Sequence, residues 1–480
     1  MDWSFFFYDL ETSGFNPKEA RIMQFAGQRT DKELHPIGEP VNVLIKLTDD
    51  VLPDPSAILL TGITPQRTNE EGISEADFLK LFYDQIALPG TIFTGFNSVR
   101  FDDEFMRFIN YRNFYDPYEW QWRDNRSRWD MLDVTRMTRA LRPEGIVWPK
   151  GSDGTPANRL TDLSAANKLD HISAHDALSD VEATIGLARL IRSKQPKLFD
   201  YLLELRDKKK ISALASSGKP FVYTSGKYPS EYEKTTVVIA IAKNPNRDGG
   251  VLVYDLRHDP EEFATMSPEQ LAEAWSWRPK DDTGARLPVK TLQFNRCPAI
   301  APLGVLDSAG YERLSLDKEV IESNRLKLDK FPEFSAKLEL ATEIMDKKRD
   351  FRSRASSEPV DAQLYDGFFS DQDKSGMAKV RDSEATAFNP ANVKFQDKRL
   401  NLLLPLYKAR NYRSLLSDEE RREWENYRWH KFTDGGSYSR AAKFGSALQL
   451  AATTRTSSRD QSIIEDLKLY AESIIPAGDG

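Results

Sequence analysis

Ser4-Phe5-Phe6-Phe7-Tyr8, a mostly apolar run, leads without a break into Asp9-Leu10-Glu11-Thr12. Such a run reads as a buried strand, and alternate residues of a strand point to the same face. Asp9 and Glu11 therefore project together from the strand's end. Two carboxylates on one face repel each other unless a cation sits between them. Hard divalent ions such as Mg²⁺ take oxygen ligands of this kind. A surface strand end that carries two acids by chance accounts for the same residues, so the remainder of the chain has to decide.

At 480 residues the chain is too long for one ordinary core, and two or three domains are expected. No apolar run is long enough to span a bilayer. The start, Met1-Asp2-Trp3-Ser4, lacks the basic region and cleavage site of a signal peptide. Cys297 is the only cysteine, which excludes an intramolecular disulfide framework and a cysteine zinc cluster and suits a reducing cytoplasm. The net charge of -7 does not advertise nucleic-acid binding. An acidic chain can nevertheless carry a basic groove.

Taken in order, residues 21–30, 40–46 and 91–97 read as further strands, and 74–87 as a helix capped by Ser74. Residues 49–55 read as a loop, and 61–66 as a turn leading into a capped helix start. A helix is expected from Asp102 to about Tyr111. Beyond it, Tyr115, Tyr118, Trp120, Trp122 and Trp129 interleave with Arg112, Arg123, Arg126 and Arg128. Such a mixture suits stacked bases and phosphates, and equally a core under a long loop. Helices follow over 159–169, 175–194 and 197–214, the last with the run Lys208-Lys209-Lys210. Residues 221–224, 235–242, 251–256 and 289–294 are strand-like, with a hairpin loop at 244–250, and suggest a small antiparallel barrel. Residues 316–348 read as helical, 351–360 as a polar linker, and the rest as largely helical, with Leu402-Leu403-Leu404 closed by Pro405.

Four acids and a histidine stand out: Asp9 and Glu11, then Asp102 after a long strand, then His175 and Asp180 at a helix start. Strand–strand–strand–helix–strand followed by helices is the order of a ribonuclease-H-like sheet, which would bring these side chains to one edge. Phosphodiester hydrolysis needs an activated water and a stabilised leaving alkoxide, and two Mg²⁺ ions about 3.5–4 Å apart supply both. Four carboxylates would offset their charge and leave room for substrate oxygens. His175 would accept the proton, since an imidazole is neutral near working pH.

At these residues the chain resembles the DEDDh exonuclease superfamily, through Asp9-x-Glu11, Asp102 and His175-Asp176-Ala177-x-x-Asp180. Longer strings narrow this: YDLETSG at 8–14, TGITPQ at 61–66, NSVRFDDE at 97–104, YRNFYDPY at 111–118, SRWDMLDV at 127–134, ALRPEGIVWP at 140–149, AHDALSDVEATI at 174–185 and VDAQLYDGFFSD at 360–371. Together they are similar to the bacterial exonuclease I family over essentially the whole chain. That resemblance implies a ribonuclease-H-like exonuclease domain over 1–196, an SH3-like β-barrel domain over 197–350 and an all-α C-terminal domain over 351–480. It implies a cytoplasmic monomer acting in DNA repair and recombination. The activity implied is Mg²⁺-dependent, with Mn²⁺ as a substitute, and processively removes 5′-mononucleotides from the 3′ end of single-stranded DNA in a C-shaped channel.

By the same resemblance Asp9, Glu11, Asp102 and Asp180 hold the metal, with Glu11 also meeting the substrate, and Arg159 contacts substrate near the scissile phosphate. Arg107, Tyr118, Trp122, Arg136 and Lys208 line the strand's path, with Lys290, Asn295, Gln363 and Tyr365 as accessory channel residues. The family also binds the acidic, Phe-ended tail of the single-stranded DNA-binding protein. Arg142 and Tyr201 match two residues of that pocket, while 299–309 departs from the pattern, with Asp307 where a basic residue is expected. Two other readings compete. An RNA-directed trimmer of the same superfamily shares the acids, although minimal trimmers lack the domains beyond residue 196. A catalytically dead strand-binding module is opposed by the intact acids and histidine.

Overall fold

The computed structural model describes residues 3–169, 176–244, 249–276, 285–355, 358–383 and 393–476, with 349–355 as backbone only. The chain forms two compact units. One holds residues 1–127, 172–182 and 358–480, the other 128–171 and 183–357.

The first unit is built around β1 (Ser4–Thr12), which pairs antiparallel with β2 (Ile22–Thr30) and parallel with β4 (Thr91–Gly95). β3 (Val41–Leu44) flanks β2, giving the order β3-β2-β1-β4 within this unit, and the chain leaves it at the first residue of β5 (Ser127–Asp130). A central strand covered on both faces needs a continuous apolar run, which explains the opening sequence. Phe6, Tyr8 and Leu10 enter a core with Phe25, Phe78, Phe82, Phe93 and Trp120, while Phe5 and Phe7 are buried on the opposite face. The β1–β4 pairing ends at Phe7↔Thr94. Asp9 and Glu11 therefore lie past the last residue paired with β4, at the carboxyl end of the strand, where open sheets bind ligands.

Local signals fix the neighbouring helices. Ser74 accepts from the Asp77 amide (3.1 Å) to start Glu75–Leu81, and the expected single helix changes there to a π-turn over Phe82–Ile86. Thr64 caps Pro65–Glu71. Pro55–Thr61 is a helix that the sequence reading did not find, although Asp54 caps it, Pro55 opens it and Gly62, at φ 74°, closes it. After β4, Asn97 turns the chain in the left-handed region (φ 68°), and Asp102–Arg112 begins on Asp102 itself.

The helices of residues 358–476 pack in this same unit. Phe108, Tyr111 and Phe114 share a core with Leu400, Leu403, Leu404 and Tyr407, and Met23, Leu47 and Ile58 share another with Phe432, Phe444, Ile463 and Leu467. The sequence places a helix end at Pro405, but the helix Lys398–Asn411 runs through it. Pro405 faces solvent, so the carbonyl it frees is on the wet side, and the flanking leucines bury enough surface to outweigh the roughly 3 kcal/mol proline penalty.

Among these helices lies a buried ion cluster. Arg410 donates to Asp361 (2.6 and 2.9 Å) and to Asp50 (2.7 Å), Arg21 donates to Asp361 (3.2 Å), and Lys431 donates to Asp50. Tyr427 stands 5.5 Å from the Lys431 ammonium. Three cations thus face two carboxylates. Burial pulls Lys431 down to about 8, against Asp50 and Asp361. An unfolded lysine keeps its proton to about pH 10.4. Between these values the unfolded chain holds a proton that the folded one has released, so stability from this site rises with pH. The unfolding free energy of wild type relative to Lys431→Met should therefore grow by about 1–2 kcal/mol from about pH 7.5 to 9.5. Denaturant titrations at both pH values check this, and an unchanged difference would contradict it.

The second unit contains an antiparallel sheet of order β10-β6-β7-β8-β9: β6 (Phe221–Thr224), β7 (Thr235–Lys243), β8 (Gly250–Asp255), β9 (Val289–Gln293) and β10 (Ala299–Pro302). The sequence reading missed β10 and the helix Met131–Leu141. The single helix expected over 197–214 is two, Pro196–Glu204 and Lys208–Ala215, because Asp207 caps the second through the Lys209 amide (2.9 Å). The stretch 316–348 likewise divides into Lys318–Leu328 and Phe334–Ala355 around a break that contains Pro332, and the second helix continues into the expected linker. Among the described residues, no helix is long and apolar enough to cross a membrane.

Candidate metal-dependent active site

β1 delivers Asp9 and Glu11 on one face, and the first turn of Ala177–Lys194 delivers Asp180. One oxygen from each of these three carboxylates lies within 4.8 Å of the others. Asp102, 3% exposed, stands outside that trio but is the strongest carboxylate influence on Asp9. Burial first, then Asp102, Asp180 and Asp176, hold the Asp9 carboxyl well above its ordinary range. Burial, Asp9, Asp180 and Asp176 push Glu11 up to about 9. Asp9 therefore feels both Asp102 and Asp180. His175 lies outside the described residues.

This donor set consists of crowded carboxylate oxygens, and it fits a hard divalent ion. Asp9, Glu11 and Asp180 are the residues that could hold one, with Asp102 adjoining. The neighbouring acid Asp103 serves the fold instead. Tyr8 donates its phenol to it at 2.7 Å, tying the helix start to β1.

Two residues beside the acids escaped the sequence reading. Gln24 is the register partner of Glu11 across β1–β2 and shares its face of the sheet. Its amide donates to Asp176 (3.3 Å) and to Asn42 (2.9 Å), which places Asp176 beside the cluster. Asp176 stands in the histidine-containing motif without a role of its own there; nothing in the sequence gives the register that pairs Gln24 with Glu11.

The interleaved aromatics divide between the two readings left open. Trp120 and Trp129 are buried, and Tyr115 is half-buried and stacks on Tyr83 at 4.5 Å. Trp122 is 60% exposed and Tyr118 half-buried. Arg112 is spent on Glu75 (2.8 Å) and Arg126 on the Ala87 carbonyl (2.5 Å). Arg107 is buried; burial works to lower its guanidinium, but Glu104 and Asp103 win and raise it. It donates to Glu104 at 2.6 Å and lies 5.7 Å from the Tyr118 ring. Gln363 donates to the Glu358 carbonyl (2.8 Å), and Tyr365 is 51% exposed with its phenol on Glu104. Phe368, 87% exposed and 5.8 Å from Tyr118, was not singled out from the sequence, although it lies within the string at 360–371.

In the second unit, Arg159 is exposed at the head of Leu160–Asn167, and Lys208 is exposed at the head of its helix. Arg136 donates to Asp133 (2.9 Å), Lys290 is half-buried on β9, and Asn295 is exposed. Arg142 donates to the Val305 carbonyl (3.0 Å) and Tyr201 to that of Ile300 (3.1 Å), so both anchor the segment that departs from the family pattern. Asp307 caps Ser308–Arg313 through the Gly310 amide (2.7 Å).

A ribonuclease-H-like sheet with carboxylates gathered at the end of its first strand defines a class, the metal-dependent nucleases. Comparison with known proteins makes this specific. Residues 6–188 match the exonuclease family model, 206–341 the exonuclease I SH3-like domain and 358–474 the exonuclease I C-terminal domain. The exodeoxyribonuclease I of Haemophilus influenzae is 37% identical over 480 residues, with 99% of each chain covered. That of Escherichia coli is 38% identical over 476 residues, with 98% of each covered. The solved exonuclease I of Methylocaldum szegediense superposes with a TM-score of 0.91 at 40% identity, covering 99% of this chain and 100% of that one. The Escherichia coli enzyme in complex with a dA16 oligonucleotide gives 0.91 at 38% identity, covering 98% and 100%. The chain belongs to the exodeoxyribonuclease I family and is a hydrolytic nuclease.

Proposed function

We propose that this protein hydrolyses single-stranded DNA from its 3′ end, processively and with Mg²⁺, releasing 5′-mononucleotides in the cytoplasm as a monomer during repair and recombination. The observation that carries the reading is the meeting of Asp9, Glu11 and Asp180 at the β1 end with Asp102 beside them, in a chain whose Escherichia coli relative is solved with bound oligonucleotides. Two divalent ions, when bound, would polarise the phosphate and lower the pKa of the attacking water. Asp9, Glu11 and Asp180, with Asp102 beside them, are the residues that would hold these ions. His175 would take the water's proton on an imidazole nitrogen. Trp122, Tyr118 and Tyr365 would stack bases, with Arg107, Arg136, Arg159, Lys208, Lys290, Asn295 and Gln363 along the backbone path. The division at 1–196, 197–350 and 351–480 goes with this reading.

A relative is solved as a complex of single-stranded DNA-binding protein and exonuclease I. By analogy the tail of that partner would dock at Arg142 and Tyr201, with a weaker ionic contribution where Asp307 replaces a cation.

Two neighbouring tryptophans test the strand path. Trp120→Ala should destabilise the fold by about 3–5 kcal/mol, because it empties a core site. Trp122→Ala should leave stability within about 0.5 kcal/mol and weaken oligonucleotide binding by about 1–3 kcal/mol. Thermal melts and fluorescence titrations read both. Digestion of DNA and RNA oligomers of matched sequence tests the substrate: DNA should be consumed far faster, and equal rates would favour an RNA-directed enzyme.

A further inference from the structure

Among the aromatic side chains that the first unit leaves in solvent are Trp122, Tyr365 and Phe368. Tyr118 adjoins Phe368, and Arg107 stands behind both Tyr118 and Tyr365. Exposed rings beside a guanidinium form a stacking platform for bases. Two of its members ride on one short segment, residues 360–369, whose only regular structure is a tight turn over Val360–Asp366.

That segment is held by polar groups, several of them buried. Tyr111 donates to the Val360 carbonyl (2.9 Å). Arg399 donates to the carbonyls of Gln363 (2.7 Å), Leu364 (3.2 Å) and Gly367 (3.0 Å). Asp361, 3% exposed, receives both arms of Arg410 and one of Arg21, with the Lys431 ammonium at 3.7 Å. Arg21 is itself fixed to the catalytic strand. Its amide donates to Ser13 Oγ (2.9 Å) and its carbonyl accepts the Ser13 amide (2.9 Å), two residues beyond Glu11.

A buried charge cluster is a poor way to gain stability, because apolar residues of similar volume do as well or better. It is a good way to fix one geometry, since a buried charge left unpaired is costly. We propose that Asp361 is a positioning residue, holding the Tyr365–Phe368 platform through Arg21 in fixed relation to the strand end that bears Asp9 and Glu11. The inference rests on the exonuclease reading above.

Asp361→Asn keeps the side-chain shape and removes its charge. The KM for a single-stranded oligomer of about 20 nucleotides should rise about tenfold, as expected for weakening charge-assisted bonds to the segment. Its kcat should hold within about twofold, as should the hydrolysis of thymidine 5′-(p-nitrophenyl phosphate), which offers the platform one base where the oligomer offers many. Tyr111→Phe loosens the same segment from another side and should raise KM about threefold with the same split; it decides the matter if Asp361→Asn does not fold. A variant that melts earlier yet keeps the wild-type KM, or that slows the small ester as much as the oligomer, would overturn the proposal. Wild-type protein inert on the oligomer would instead refute the exonuclease reading, independently of either variant.

Discussion

Asp180→Asn is expected to lower the rate of DNA hydrolysis about 10³-fold or more, the size of losing several kcal/mol of metal-ion stabilisation. Asparagine keeps the volume and one oxygen, so the helix start should stand. The change removes a negative charge from three carboxylates whose oxygens lie within 4.8 Å of one another. Without metal that charge is a liability, so the metal-free variant should melt no earlier than wild type, and stabilisation by added Mg²⁺ should shrink. Initial rates and melting curves with and without Mg²⁺ give both quantities. A variant of near wild-type rate would take Asp180 out of the metal site, and a large loss of metal-free stability would mean the carboxylate holds the fold instead.

His175→Ala should cost about 10²–10⁴-fold in rate, the usual size of general-base assistance. Binding of a single-stranded oligomer should change little, because the residues of the strand path are elsewhere in sequence. The comparison of single-turnover rate with fluorescence affinity separates the two effects. Wild-type turnover would remove His175 from the mechanism, and a parallel loss of affinity would make it a binding residue. Together the two variants would separate charge that holds metal from a base that moves a proton.

Much of this site was legible because its signals are local. The period of a strand places Asp9 and Glu11 on one face, and Asp180 falls in the first turn of the helix Ala177–Lys194. Asp102 could be picked out as the acid after a long strand, since parallel β1 and β4 end at one edge. What the sequence withholds is register and distant company. Gln24 faces Glu11 only because β2 pairs antiparallel with β1 in the register that sets Phe5 against Thr30. Trp120 and Trp122 are two positions apart and have opposite fates, one in the core and one in solvent, because short irregular turns carry no period to read. Pro405 misled for a related reason: local propensity forecasts a stop, and tertiary burial of Leu403, Leu404 and Leu406 overrides it. The ion cluster was beyond reach, since Asp50 meets Lys431 and Arg21 meets Asp361 across hundreds of residues. Pro55–Thr61 is the opposite case, a short helix whose cap, proline and closing glycine were all present to be read.

The proposed activity has these carboxylates hold metal to cut single-stranded DNA from its 3′ end. It is tested most directly by incubating one oligomer, labelled at either end, with Mg²⁺ or with EDTA. With Mg²⁺, the 3′ label should leave at once as a mononucleotide, and the 5′-labelled strand should pass to short products without a ladder of intermediates. In EDTA neither should change. Prompt loss of the 5′ label, or cleavage that persists in EDTA, would contradict the account.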